Sequence, residues 1–95
     1  MAVYLVIEVT RPSDPEDMVE YNEKVPDLVA RHGGRWLASG PPTVLEGDIR
    51  AQHLIVLEFD SVEQVQAAYD SEEYAPFKAQ RQRSGSSTFL LVPGL

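Results

Sequence analysis

The chain has 95 residues, 43% of them hydrophobic, and a net charge of −7 from fifteen acidic and eight basic side chains. That length suits one domain over residues 1–95, and the acidic balance argues against nucleic acid and anionic membrane, both of which need a positive field. The absence of cysteine excludes a disulfide framework and a thiolate metal site.

Met1 to Leu5 enters an alternating pattern with no basic leader or small-residue cleavage site, and no apolar run reaches bilayer-spanning length. The expectation is a cytoplasmic protein. Tyr4 to Val9 reads as a first strand, broken at Thr10-Arg11-Pro12-Ser13. Asp14 followed by Pro15 predicts a helix N-cap with proline at the first helical position. Met18, Tyr21, Val25, Leu28 and His32 recur at three- and four-residue steps as one helical face, and Gly33-Gly34 supplies the stop. Pro26, inside that helix, removes the amide partner of the Asn22 carbonyl and predicts a kink.

Arg35 to Ser39 reads as a second strand closed by Gly40-Pro41-Pro42, with Val44-Leu45 as an extension beyond a bend. Gln52 to Phe59 is the strongest strand pattern. Ser61 with Gln64 three residues on is a capping box opening a second helix, whose stripe is Val62, Val65, Ala68 and Tyr69. Ser71 caps a further short helical piece carrying Tyr74 and Phe77. Ser84 to Ser87 reads as a loop and Thr88 to Val92 as a last strand. Lys78, Arg81 and Arg83 read as a solvated helix face near a C-terminus, with a phosphate or carboxylate site as the alternative.

The order β-α-β-β-α-β is an α+β, ferredoxin-like arrangement: a four-stranded antiparallel sheet with its helices on one face. The odd sets of the strongest strands, Val3, Leu5, Ile7, Val9 and His53, Ile55, Leu57, Phe59, should lie under the helices. The even sets, Tyr4, Val6, Glu8 and Leu54, Val56, Glu58, are apolar in the middle and acidic at the ends. A solvated face should alternate to polar residues along its length. Burial of Tyr4, Val6, Leu54 and Val56 in a homodimer is therefore expected.

Asp14 through Tyr21, His32-Gly33-Gly34-Arg35, Val44 through Asp48 and Phe59 through Tyr74 resemble the DUF1330 proteins. Ile49 and Ala51 stand where that family often has an aromatic and a proline. The resemblance implies a dimeric α/β barrel, in which two sheets pack face to face, and implies no particular activity.

No Ser-His-Asp motif, glycine-rich phosphate loop or dinucleotide fingerprint is present, so no cofactor is expected. The two histidines fall at opposite ends of the topology and share no metal spacing, so no metal site is expected either. His53 begins the third strand; Tyr21 and Asn22 overlie the same end, and Tyr69 should converge there. These four residues are the expected rim of an apolar pocket. His53 is the candidate general acid or base, because histidine is the residue type that titrates near neutrality. Core packing is the competing role for both tyrosines. His32, Trp36 and Glu58, at the far end, are the rival centre. Three functions stay open: a cofactor-independent enzyme on a small, partly apolar metabolite, a binding or sensing module, and a dimeric interaction protein.

Overall fold

The computed structural model describes residues 1–95 as β1 (Val3–Arg11), a 3-10 turn (Pro15–Met18), α1 (Val19–Arg31), β2 (Arg35–Gly40), β3 (His53–Phe59), α2 (Val62–Tyr69), α3 (Ala75–Ser84) and β4 (Ser86–Pro93). All pairings are antiparallel and the strand order is β2-β3-β1-β4. Each strand–helix–strand crossover thus skips one strand, which is the ferredoxin-like topology. No helix is long and apolar enough to cross a membrane.

The alternation of β1 and β3 decides which way the sheet faces. Their register runs from Val3↔Phe59 to Val9↔His53, so odd residues meet odd residues across the pair. Val3, Leu5, Ile7, Leu57 and Phe59 are buried with Val25, Leu28 and Val29 of α1 and Val65 and Ala68 of α2. The even side carries no helix. There Tyr4, Val6, Leu54 and Val56 lie beside Leu90 and Val92 of β4, which are 43% and 45% exposed.

Several expected boundaries shift, each for a local reason. Asp14 does cap, but through Glu16 N–H, and Asp17 N–H bonds the Asp14 carbonyl, so the opening segment is a 3-10 turn and α1 starts at Val19. The Val44-Leu45 extension does not form. Pro41 and Pro42 have no N–H to continue a ladder, and both apolar residues sit exposed in a loop. Val62 is exposed as well, because side chains lean toward a helix N-terminus and the first residue of α2 reaches past its end. The Ser71 hydroxyl accepts from Tyr74 N–H and leads into a ten-residue α3, longer than expected, and β4 begins at Ser86.

The expected stops and caps are specific. Gly33 takes φ +86°, the left-handed conformation that ends α1. Gly34 is needed for a different reason: a Cβ there would stand 2.5 Å from Val29 Cγ1 and 2.7 Å from Phe59 Cζ, inside the core. Ser61 Oγ accepts from Gln64 N–H at 3.2 Å, while Gln64 Oε1 reaches back to Asp60 N–H at 2.9 Å, one residue upstream of the usual box partner.

Two stability measurements check this frame. Ser61→Ala should cost about 1 kcal/mol in urea unfolding. Gly34→Ala should cost about 1–3 kcal/mol, because it overpacks the Phe59 ring. An unchanged midpoint in either variant would contradict the contact assigned to it.

Candidate functional site

The helices do not cover the whole odd face. Beyond α2 and the middle of α1, the end of the sheet formed by the last residues of β1 and β2 and the first of β3 and β4 is left as a cleft of about 640 Å³. Its floor is Ile7, Val9, Ile55 and Phe89, and Pro15, Met18, Tyr21, Asn22 and Pro26 wall it from above. A volume of several hundred Å³ with an apolar floor and polar groups converging on it is typical of small-molecule sites. The Asn22 carbonyl, which loses its helical partner at Pro26, belongs to the same wall as the proline.

A bulge in β2 sets the polar rim. The β2–β3 register shifts between Trp36 and Ala38, so that Trp36 pairs with Leu57 and Ser39 with Ile55. In a regular strand, positions 36 and 39 point to opposite faces; the extra residue, Leu37, brings both to the helix side. Ser39 Oγ thereby reaches His53 Nε2 at 2.8 Å, and the 45%-exposed Trp36 indole stands at the cleft.

Across the cleft, α3 contributes Arg81. Its Nε donates to Tyr74 Oη at 3.3 Å and its Nη1 to Ser87 Oγ at 3.0 Å, with the guanidinium 4.3 Å from the Phe89 ring centre. Tyr74 Oη in turn lies 2.8 Å from Tyr21 Oη. Burial pushes the Tyr21 phenol well above the ordinary tyrosine range; neighbouring Tyr74 adds to the shift and Arg81 opposes it. Tyr21 is therefore a neutral hydrogen-bonding group and not a base. No cluster of His, Asp or Glu side chains converges where a metal could sit.

His53, Tyr21 and Asn22 share this cleft. Tyr69 does not line it. It lies one layer inward, around a cavity of about 50 Å³ with Tyr21, Tyr74 and Phe89, and Lys78 Nζ sits 4.1 Å above its ring. The rival residues are dispersed. Trp36 joins the His53 cleft, Glu58 faces the opposite side of the sheet and binds Arg35 at 2.7 Å, and His32 closes α1 near Glu73. The Glu73 carboxyl is held below its usual range by the Arg31 hydrogen bond, with a smaller contribution from His32.

Arg81 and Lys78 are partly buried, against what their sequence neighbourhood suggests; only Arg83 of that cluster is exposed. The available signal was spacing: Tyr74, Phe77 and Arg81 follow three- and four-residue steps on one face. Ser39 carried no signal, since an unbulged strand would have turned it away from His53.

The Tyr21 environment predicts alkaline behaviour. A folded value above the unfolded one gives stability that is complete below about pH 10 and is lost as pH rises from there toward the raised value. Tyr21→Phe should flatten that alkaline loss in unfolding curves. A wild-type curve of identical slope would contradict the burial of this phenol.

The model of DUF1330, a domain of unknown function, matches residues 2–95. No curated protein matches the chain. Among solved structures, a protein of unknown function from Rhodopseudomonas palustris has 19% identity and a TM-score of 0.76, covering 99% of this chain and 82% of its own. A dimeric ferredoxin-like protein of unknown function from Jannaschia sp. CCS1 has 10% identity and a TM-score of 0.72, covering 99% and 100%. SnoaB, a cofactor-independent oxygenase from Streptomyces nogalater, has 14% identity and a TM-score of 0.69, covering 99% and 93%. At these identities the likeness is one of fold.

Proposed function

The chain belongs to the DUF1330 family, and from that premise we propose that it is a homodimer, paired as an α/β barrel, that binds a small, partly apolar molecule in the cleft holding His53, Tyr21 and Asn22. The carrying observation is the cleft itself: about 640 Å³ over an apolar floor, with the hydrogen-bonding side chains of Tyr21, Asn22, Ser39, His53 and Arg81 among its lining. Tyr21 and Asn22 orient a carbonyl or hydroxyl of the ligand, and Tyr69 supports the ring cluster behind Tyr21. Homodimer formation is supported by the helix-free apolar face, since monomers rarely leave so continuous a patch in water, and by the dimeric state of a structural relative.

A second, catalytic reading rests on the Ser39–His53 pair. Ser39 fixes the imidazole through Nε2 and leaves Nδ1 without a protein partner, so the ring can exchange a proton with a ligand in the cleft. The fold of SnoaB, a cofactor-independent oxygenase, illustrates that this frame can carry chemistry without a cofactor. His53→Gln should then abolish turnover while leaving affinity within a fewfold; equal loss of affinity would assign His53 to binding alone.

Trp36 is the single tryptophan and stands at the cleft, so ligands found in a thermal-shift screen of metabolites should change its fluorescence. A saturating ligand at 100 times its Kd should add about 2.7 kcal/mol of stability. Hits that stabilise the protein with no change at Trp36 would place the site elsewhere. For the dimer, Val56→Asp puts an unpaired charge in the buried face and should yield monomers by light scattering. A wild-type monomer at micromolar concentration would contradict the pairing.

A further inference from the structure

The charge balance of the cleft is opposite to that of the chain. Acidic residues outnumber basic ones by fifteen to eight overall, yet the cleft lining contains Arg11 and Arg81 and no aspartate or glutamate. Elsewhere, Lys24, Arg31 and Arg35 each pair with a carboxylate. Arg81 does not. Its partners are the neutral hydroxyls of Tyr74 and Ser87 and the face of Phe89, which position the guanidinium without compensating its charge, and Nη2 has no protein acceptor. Arg11 donates only to the Ser84 carbonyl, at 3.5 Å. Two acids of the adjoining turn have other partners: Asp17 accepts from Ser84 Oγ and Asp14 Oδ1 from Glu16 N–H. A half-buried, permanently charged guanidinium without a counter-ion is costly unless an anion arrives to pair with it.

Resting on the reading of the cleft as a ligand site, we infer that its ligand is a small organic acid, with its carboxylate held by Arg81 and Arg11. Arginine's planar fork suits a carboxylate, and the free Nη2 supplies a donor to it. The opposite rim sets the remaining chemistry. Arg81 packs on Phe89 of β4, whereas His53 and Ser39 lie on β3 and β2. With β1 between β4 and β3, two strand spacings, about 10 Å, separate these ends. The ligand is therefore an acid with an apolar, ring-sized body over Ile7 and Ile55 and a hydroxyl or carbonyl at its far end, beside His53.

The probe pair is 3-(4-hydroxyphenyl)propanoate and its neutral amide, titrated at millimolar concentration into isotopically labelled wild-type protein and followed by NMR shifts of the Trp36 indole and the Arg81 side chain. The acid should bind in the cleft at least about tenfold more tightly than the amide, because a charge-assisted pair replaces a neutral hydrogen bond. Arg81→Gln should erase that preference, and Arg83→Gln, on the exposed side of α3, should retain it. Equal affinity of acid and amide at the cleft would overturn the anion assignment while leaving a ligand site. Shifts by neither probe at the cleft would overturn both. An acid preference that survives Arg81→Gln would remove Arg81 from the role. The comparison of probes on wild-type protein decides the question even where the Arg81 variant unfolds.

Discussion

β1 and β3 are apolar on both faces, while all three helices lie on one of them. This asymmetry governs the rest of the molecule. Odd residues such as Leu5, Ile7 and Leu57 are satisfied by Val25, Leu28 and Val65 within the chain. Even residues such as Val6 and Val56 have no such cover. A 95-residue chain buries only about two-thirds of its unfolded surface, so it gains much from a second copy on that side. In the proposed dimer the second copy covers the even face, and the odd face keeps whatever the helices leave open.

What they leave open follows from helix length and placement. α2 has eight residues, and its buried positions, Val65 and Ala68, sit in the main core. α3 has no buried residue; it stands at the edge of the core and turns Tyr74, at its start, and Arg81 inward. The gap between α3 and α1 over the ends of the strands is the cleft. Its polar groups are held by neighbours and not by solvent: Tyr21 by Tyr74, Tyr74 by Arg81, Arg81 by Ser87, and His53 by Ser39. Side chains fixed this way lose less entropy when a ligand binds. On the inferred reading, the uncompensated charge of Arg81 would make the same surface selective for acids.

Much of this frame could be read from the residues. Alternation in β1 and β3 gave the two faces because a strand's period of two leaves no choice of side once one residue is placed. Ser61 and Gly33 marked helix ends through local chemistry that needs no tertiary partner. His53, Tyr21 and Asn22 could be brought together from topology alone. The differences at the site share a cause, which is dependence on long-range contacts. A one-residue bulge at Leu37 re-aims Ser39 and Trp36, and nothing local announces it. Arg81 sits among polar neighbours in sequence, but Phe89 and Ser87, which hold it, come from another element. Tyr69 lies on the expected helix but one layer inward of the cleft, because helical phase fixes a direction and not a depth.

The central claim is that the two faces of one sheet have different occupants, a second copy on one and a small ligand on the other. Solvent-accessibility mapping by a dissolved paramagnetic probe tests it directly on the ligand-free protein. Methyl signals of Val6, Val56 and Leu90 should be protected by the partner copy, while those of Val9 and Ile55 and the Trp36 indole should broaden in the open cleft. Broadening of the Val6, Val56 and Leu90 methyls together with protection of Val9, Ile55 and Trp36 would contradict the account on both faces at once.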